Sequence, residues 1–138
     1  MSATPGVEIV VALTGVTAVS THGPSGAQLQ TAPPADNGGD GSSFSPTDLL
    51  ATSLATCLLT TMALQAGREG LTWGPAAAKV VKMMSGAPRR VETLQLTITM
   101  PKGVKPEHRE RLEEIARTCP VARSLHPDVK LPMTFEYA

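Results

Sequence analysis

Cys57 and Cys119 are the only thiols of the 138-residue chain, and they are the residues best suited to chemistry. A thiolate can attack an O–O bond and become a sulfenic acid, which then condenses with a second thiol to form a disulfide. Taken alone, each cysteine is most simply an inert core residue, because cysteine behaves as a small hydrophobe. The presence of two favours redox chemistry, although sequence spacing does not show that they touch.

The three histidines add neither a metal site nor a second kind of catalysis. His22, His108 and His126 are not at ligand spacing from one another, and no CxxC or HxxxH motif occurs. The sequence also has no GxSxG nucleophile motif and no phosphate-binding loop. We therefore expect no metal and no cofactor.

The first cysteine lies in the segment SPTDLLATSLATCLLTTM, residues 45–62. Ser45 is a good helix N-cap, Pro46 fits the first helical position, and Asp48 can return a hydrogen bond to the cap. The predicted helix ends at Gly67 or Gly70, since glycine is favoured just past a helix end. Cys57 is too far from the helix start for the helix dipole to favour its thiolate, so a cation must come from elsewhere.

This helix is apolar enough to raise the question of a membrane. No charged residue occurs between Leu49 and Gly67, a length that could span a bilayer. The segment nevertheless contains serine, threonine and glutamine, and its flanks resemble strands rather than membrane anchors. We interpret it as a core helix buried on several faces, by a sheet and by a second subunit, and we expect no membrane partner.

Strands are predicted on both sides of the first helix. Residues 7–31 are rich in β-branched residues, with a turn at Gly15. Residues 76–84 and 91–100 form a hairpin, and in the second of these strands apolar and polar residues alternate. The tail LPMTFEYA is a closing strand. The segment between residues 32 and 45 is a loop by composition.

A second helix begins at about Pro106 and carries the second cysteine. Its apolar stripe is formed by Leu112, Ile115, Ala116 and Cys119, at the spacing i, i+3, i+4 and i+7. Pro120 ends or kinks the helix. The order of the predicted elements is strands, a buried helix, a hairpin, an amphipathic helix and a strand. This order predicts an α+β fold in a single domain, residues 1–138.

Composition excludes several partners. There are 12 basic and 12 acidic residues and few aromatic ones, so we expect no nucleic acid partner. The opening MSATPGVEIV has no basic region typical of an export signal, which predicts a cytoplasmic protein. In that compartment thiols stay reduced, and a disulfide is more often catalytic than structural.

Two segments together resemble the OsmC-like family, which includes the organic hydroperoxide resistance proteins. They are SFSPTDLLATSLATCLLTTMAL and CPVARSLHPDVKL, each containing one of the cysteines. The resemblance covers nearly the whole chain. It implies an OsmC-like fold, with antiparallel sheets wrapped around two central cysteine-bearing helices in an intertwined homodimer.

The same resemblance implies a thiol peroxidase that reduces organic hydroperoxides in oxidative-stress defence. Cys57 would attack the peroxide, Cys119 would resolve the sulfenic acid as a Cys57–Cys119 disulfide, and an external dithiol would reduce it. Active members also use an arginine from the N-terminal strands and a glutamate directly after the helix-start proline. Here Thr47 follows that proline, and no arginine precedes Arg68. The arginines considered as substitutes are Arg68, Arg89, Arg90, Arg117 and Arg123.

Two hypotheses remain open from the sequence. The first is the hydroperoxide-reducing peroxidase, slower than relatives with the arginine–glutamate pair. The alternative is a small-molecule-binding or redox-sensing protein of the same fold that has no turnover. The reactivity of the Cys57 thiol near neutral pH would separate them, because only a thiolate is strongly nucleophilic.

Overall fold

A computed structural model describes residues 6–138, and their backbone follows the predicted order of strands and helices. The opening segment used for the expectation about export begins at residues 1–5, which lie outside the described residues. The chain divides into two compact units, Met1–Leu49 and Leu50–Ala138. The expectation of a single domain over residues 1–138 stays a prediction.

The first unit contains a three-stranded antiparallel sheet. Its strands are β1 (Ile9–Thr14), β2 (Thr17–His22) and β3 (Gln28–Thr31), in that order across the sheet. Gly15 makes the predicted turn between β1 and β2 with a φ of 62°, a value that favours glycine. After β3 the chain makes one 3-10 turn at Ala35–Asn37 before the first helix.

The helix α1 (Pro46–Glu69) begins and ends as the sequence predicts. Asp48 N–H donates to the Ser45 hydroxyl at 3.1 Å, and Ser45 N–H donates to the Asp48 carboxylate at 2.9 Å, which completes the capping box. At the other end Gly70 has a φ of 67° and the Leu71 N–H donates to the Ala66 carbonyl. Of the two candidate end residues, Gly70 is the one used.

The second unit contains a sheet in the order β4 (Ala77–Met84), β5 (Val91–Thr99) and β6 (Met133–Glu136). β4 and β5 form the predicted antiparallel hairpin, but β6 lies parallel to β5. The antiparallel arrangement therefore holds for every named strand pair except this one. The reason is the connection: the chain between β5 and β6 contains two helices, and such a crossover returns the next strand in the same direction.

Those helices are α2 (Pro106–Arg117) and α3 (Pro120–Ser124). The spacing predicted that Cys119 lies in α2, and this prediction is wrong. Cys119 follows α2 as the extended residue that precedes α3, with φ −63° and ψ 157°. Pro120 causes this, because a residue before proline is disfavoured in the helical region. The thiol still points into the core, where Leu112, Ile115 and Ala116 of the predicted stripe are also buried.

The core of the second unit lies between α1, α2 and the sheet. Its fully buried side chains include Leu54, Leu58 and Met62 of α1 and Leu94, Leu96 and Ile98 of β5. By length and composition alone α1 could cross a membrane, a criterion that core helices of soluble proteins also meet. The architecture is α+β, as predicted, with one sheet in each unit.

Candidate active site

Cys57 lies near the middle of α1, on the edge between its buried and its open side. The residue is half-buried and packs against the core of the second unit. Its Sγ lies 3.7 Å from the hydroxyl oxygen of Thr61, one turn later on the same helix. A hydroxyl at this distance from a sulfur can donate a hydrogen bond to a thiolate. The thiol is therefore accessible and has one polar neighbour on its own helix.

Cys119 is fully buried and close to Cys57. It has no solvent-exposed surface, and Cys57 is close enough to be one of the groups that raise the pKa of its thiol. The structure thus brings together two side chains that are 62 positions apart in the sequence. α1 and the junction of α2 and α3 hold them there by packing on the same core cluster.

The surroundings of Cys119 favour its protonated form. Burial raises the pKa of the Cys119 thiol above its usual range, and the hydrogen bond and charge of Cys57 raise it further. The N–H groups of Ala122 and Val121, at the start of α3, oppose this rise, but they form no regular capping hydrogen bond with the side chain. The buried thiol is therefore held as a neutral group beside the more accessible one.

A polar pocket of about 280 Å³ lies between α1, α2 and α3. One of its walls is Thr61, the hydroxyl neighbour of Cys57, and another is Thr118, which directly precedes Cys119. We call it the arginine pocket. The remaining lining residues are Gln65, Arg111, Glu114, Ile115 and Arg123.

The arginines considered as substitutes have different surroundings. Arg68 contacts Gln65, and Arg117 contacts Glu113 and the ring of Phe135. Arg89 and Arg90 lie in the exposed turn of the β4–β5 hairpin. Of the five, Arg123 is the one that lines the arginine pocket.

Sequence reasoning missed Arg111. Its guanidinium binds the Glu69 carboxylate at the end of α1, with an Nη2 to Oε2 distance of 2.7 Å. The bonds from Arg111, followed by one from Gln65, lower the pKa of Glu69 to about 2. No local pattern signals this contact, because the two residues are 42 positions apart.

The helix start does not supply the glutamate that active relatives use. Thr47 occupies the position after Pro46, and its hydroxyl lies 3.2 Å from that of Ser45. Asp48 is one place later and binds the cap backbone. Both side chains therefore take part in starting the helix.

Two of the histidines bind residues that are close to them in the chain. His22 hydrogen-bonds to Ser25, and the backbone N–H of Asp128 donates to His126. Within residues 6–138, no group of three or more histidine, cysteine, aspartate or glutamate side chains could hold a metal ion. The expectation of no metal stays a prediction.

Fold and site define an α+β protein with two adjacent thiols, and comparison with known proteins gives its family. The sequence profile described as OsmC-like protein matches residues 39–133. The chain therefore belongs to the OsmC-like family, as the two cysteine segments predicted. No curated protein sequence matches the chain.

Solved structures match nearly the whole chain. A Psychrobacter arcticus protein, named for osmotic stress induction and a detoxification response, is 34% identical with a TM-score of 0.89. The match covers 99% of this chain and 100% of that one. The organic hydroperoxide resistance protein OsmC from Legionella pneumophila is 16% identical, with a TM-score of 0.77 and coverage of 98% and 99%. An organic hydroperoxide resistance protein from Elizabethkingia anophelis, with thiocyanate bound, is 18% identical, with a TM-score of 0.74 and both chains fully covered. The last two comparisons show the fold alone.

Proposed function

We propose that this protein is a thiol-dependent peroxidase that reduces organic hydroperoxides, with Cys57 as the attacking and Cys119 as the resolving residue. The observation that carries the proposal is the adjacency of the two thiols, one accessible and one buried. Two named relatives of the same fold are organic hydroperoxide resistance proteins. These names support an oxidative-stress role for this chain.

The reaction proceeds in three balanced steps. The Cys57 thiolate attacks the terminal peroxide oxygen, the O–O bond breaks, and the alkoxide takes a proton to leave as an alcohol. Cys119 then attacks the sulfenic acid on Cys57, and the hydroxyl leaves as water with the proton of the Cys119 thiol. An external dithiol reduces the resulting disulfide and is itself oxidised to a disulfide.

The different surroundings of the two thiols support this assignment of roles. A resolving thiol needs to act only after the sulfenic acid has formed, so a neutral, buried Cys119 suits that role. Cys57 is the more accessible of the two and can meet a substrate from outside. A cycle of this kind needs a reducing compartment, and we propose a cytoplasmic location.

We also propose that the working form is a homodimer. In the first unit, Ile9, Val11 and Leu13 point to one face of β1 and Val10 to the other, and all are more than half exposed. A strand that is apolar on both faces needs cover on both. In the second unit α1 leaves Leu64 more than half exposed. A second copy of the chain would cover these surfaces.

The alternative, a ligand-binding or redox-sensing protein without turnover, is favoured by one observation. Thr47 replaces the glutamate of active relatives, and β1 and β2 contain no arginine. The thiols would then react slowly, and a bound molecule rather than a peroxide would be the functional partner.

Counting free thiols after one equivalent of an organic hydroperoxide tests the proposal. The wild-type protein should lose both thiols rapidly, whereas Cys119→Ser should stop at a sulfenic acid that a dimedone-type reagent captures. Cys57→Ser is the matched control and should consume no peroxide. Wild-type thiols that survive for hours would reject the peroxidase and leave the binding protein.

A further inference from the structure

The two arginines of the arginine pocket differ in what their guanidinium groups already bind. Arg111 uses Nε and Nη2 on Glu69, and its Nη1 lies 4.0 Å from Glu114. All three nitrogens therefore face carboxylates of the protein. Its charge is compensated, and it has little capacity left for a ligand.

The guanidinium of Arg123 is held through one nitrogen, and its two terminal nitrogens remain available for a ligand. Its Nε donates to the Thr118 carbonyl at 2.7 Å, which fixes the plane of the guanidinium at the junction of α2 and α3. Among residues 6–138 no side chain forms a hydrogen bond with its two terminal nitrogens. A guanidinium fixed at one edge and open at the other is suited to bind a carboxylate with two parallel hydrogen bonds.

The rest of the pocket limits the size and kind of ligand. Its volume of about 280 Å³ is at the small end for organic ligands. Ile115 supplies apolar surface, and Thr61, another lining residue, has its hydroxyl 3.7 Å from the Cys57 sulfur. A short molecule held at its acidic end by Arg123 would extend along the pocket toward Thr61, the hydroxyl neighbour of Cys57.

We propose that the arginine pocket binds the carboxylate of a short-chain organic hydroperoxide, with Arg123 as the specificity-determining residue. This inference rests on the proposed peroxidase activity and names its substrate class. Glu114 opposes binding, because its carboxylate lines the same pocket and repels a second one. Removing each residue should therefore change the preference in opposite directions.

The test compares a tertiary alkyl hydroperoxide bearing a terminal carboxylate with its uncharged methyl ester. The measured quantity is the ratio of their kcat/KM values, which cancels general loss of activity. Arg123→Gln should lower this ratio about tenfold, the value of one charge-assisted contact near a surface. Glu114→Gln should raise it, a gain that damaged folding would not produce. Arg90→Gln removes one exposed positive charge of the hairpin turn and should leave the ratio unchanged.

A binding measurement separates this inference from the peroxidase proposal. The hydroxy acid left after reduction does not react with thiols, so calorimetry on the reduced wild-type protein reports binding alone. Binding that Arg123→Gln abolishes supports the inference even if neither hydroperoxide is consumed, a result that would reject only the peroxidase. Equal ratios in wild type, Arg123→Gln and Glu114→Gln, or absence of hydroxy-acid binding, would overturn the inference.

Discussion

Leu64 provides a direct test of the proposed homodimer. It lies on the side of α1 away from the core and is 55% exposed in the chain by itself. If the chain acts alone, Leu64→Ala should change stability little, because exposed substitutions have small effects. If a second copy covers α1, the same substitution removes apolar surface from the interface in both subunits.

The size of the effect follows from the exposed fraction. Full burial of a leucine side chain contributes about 1.5–3 kcal/mol, so covering the 55% that is exposed contributes roughly half of that per subunit. With two subunits the dimer would lose about 2–3 kcal/mol, which corresponds to roughly 30-fold to 150-fold weaker association.

Sedimentation velocity over a range of protein concentrations measures the association directly. The unfolding temperature should also rise with protein concentration, as it does for dimers that unfold to monomers. Leu64→Met, which keeps most of the apolar surface, is the matched control and should associate like the wild type. A wild-type chain that stays monomeric throughout, or a Leu64→Ala dimer of unchanged affinity, would refute the reasoning.

Three further predictions concern single side chains. Hydrogen bonds from Arg111 lower the pKa of Glu69 from 4.5 to about 2, so the stability that this carboxylate contributes is present above pH 4.5 and is lost as the pH falls toward 2. Glu69→Gln should therefore flatten the dependence of stability on pH across that range. A loss of stability in acid that is the same in the variant as in the wild type would contradict this. Tyr137, the only tyrosine, should ionise at higher pH in the folded protein than in denaturant, because burial and its hydrogen bond to Glu113 raise its pKa, and tyrosinate absorbance measures this. Thr61→Val should slow the reaction of Cys57 with hydroperoxide about fivefold, the value of one hydrogen bond, whereas Thr61→Ser, which keeps the hydroxyl, should not. Equal rates in the wild type and Thr61→Val would show that the hydroxyl does not assist the thiolate.

The sequence predicted the local features well because their causes are local. Ser45 and Asp48 are three positions apart, so their capping box can be recognised from residue types alone. Gly15 and Gly70 mark a turn and a helix end for the same reason. The two cysteine segments were also sufficient to predict the family, which the profile match confirms.

The periodicity of apolar residues could not predict two features of the structure. The direction of β6 depends on how the chain crosses over between β5 and β6, and alternation within a strand carries no information on the direction of its partner. The position of Cys119 just outside α2 depends on Pro120, whose effect on the preceding residue outweighs the apolar spacing.

By itself, the sequence determined the order of the elements, the two thiols and the absence of an arginine in the N-terminal strands. Only the tertiary structure decided that the thiols meet and that Cys119 is the buried one. It also decided that Arg111 is occupied by Glu69 while Arg123 stays available beside the site. The physical reason is that these contacts join residues far apart in the chain. Packing of the helices on a shared core, rather than local preference, sets their distances.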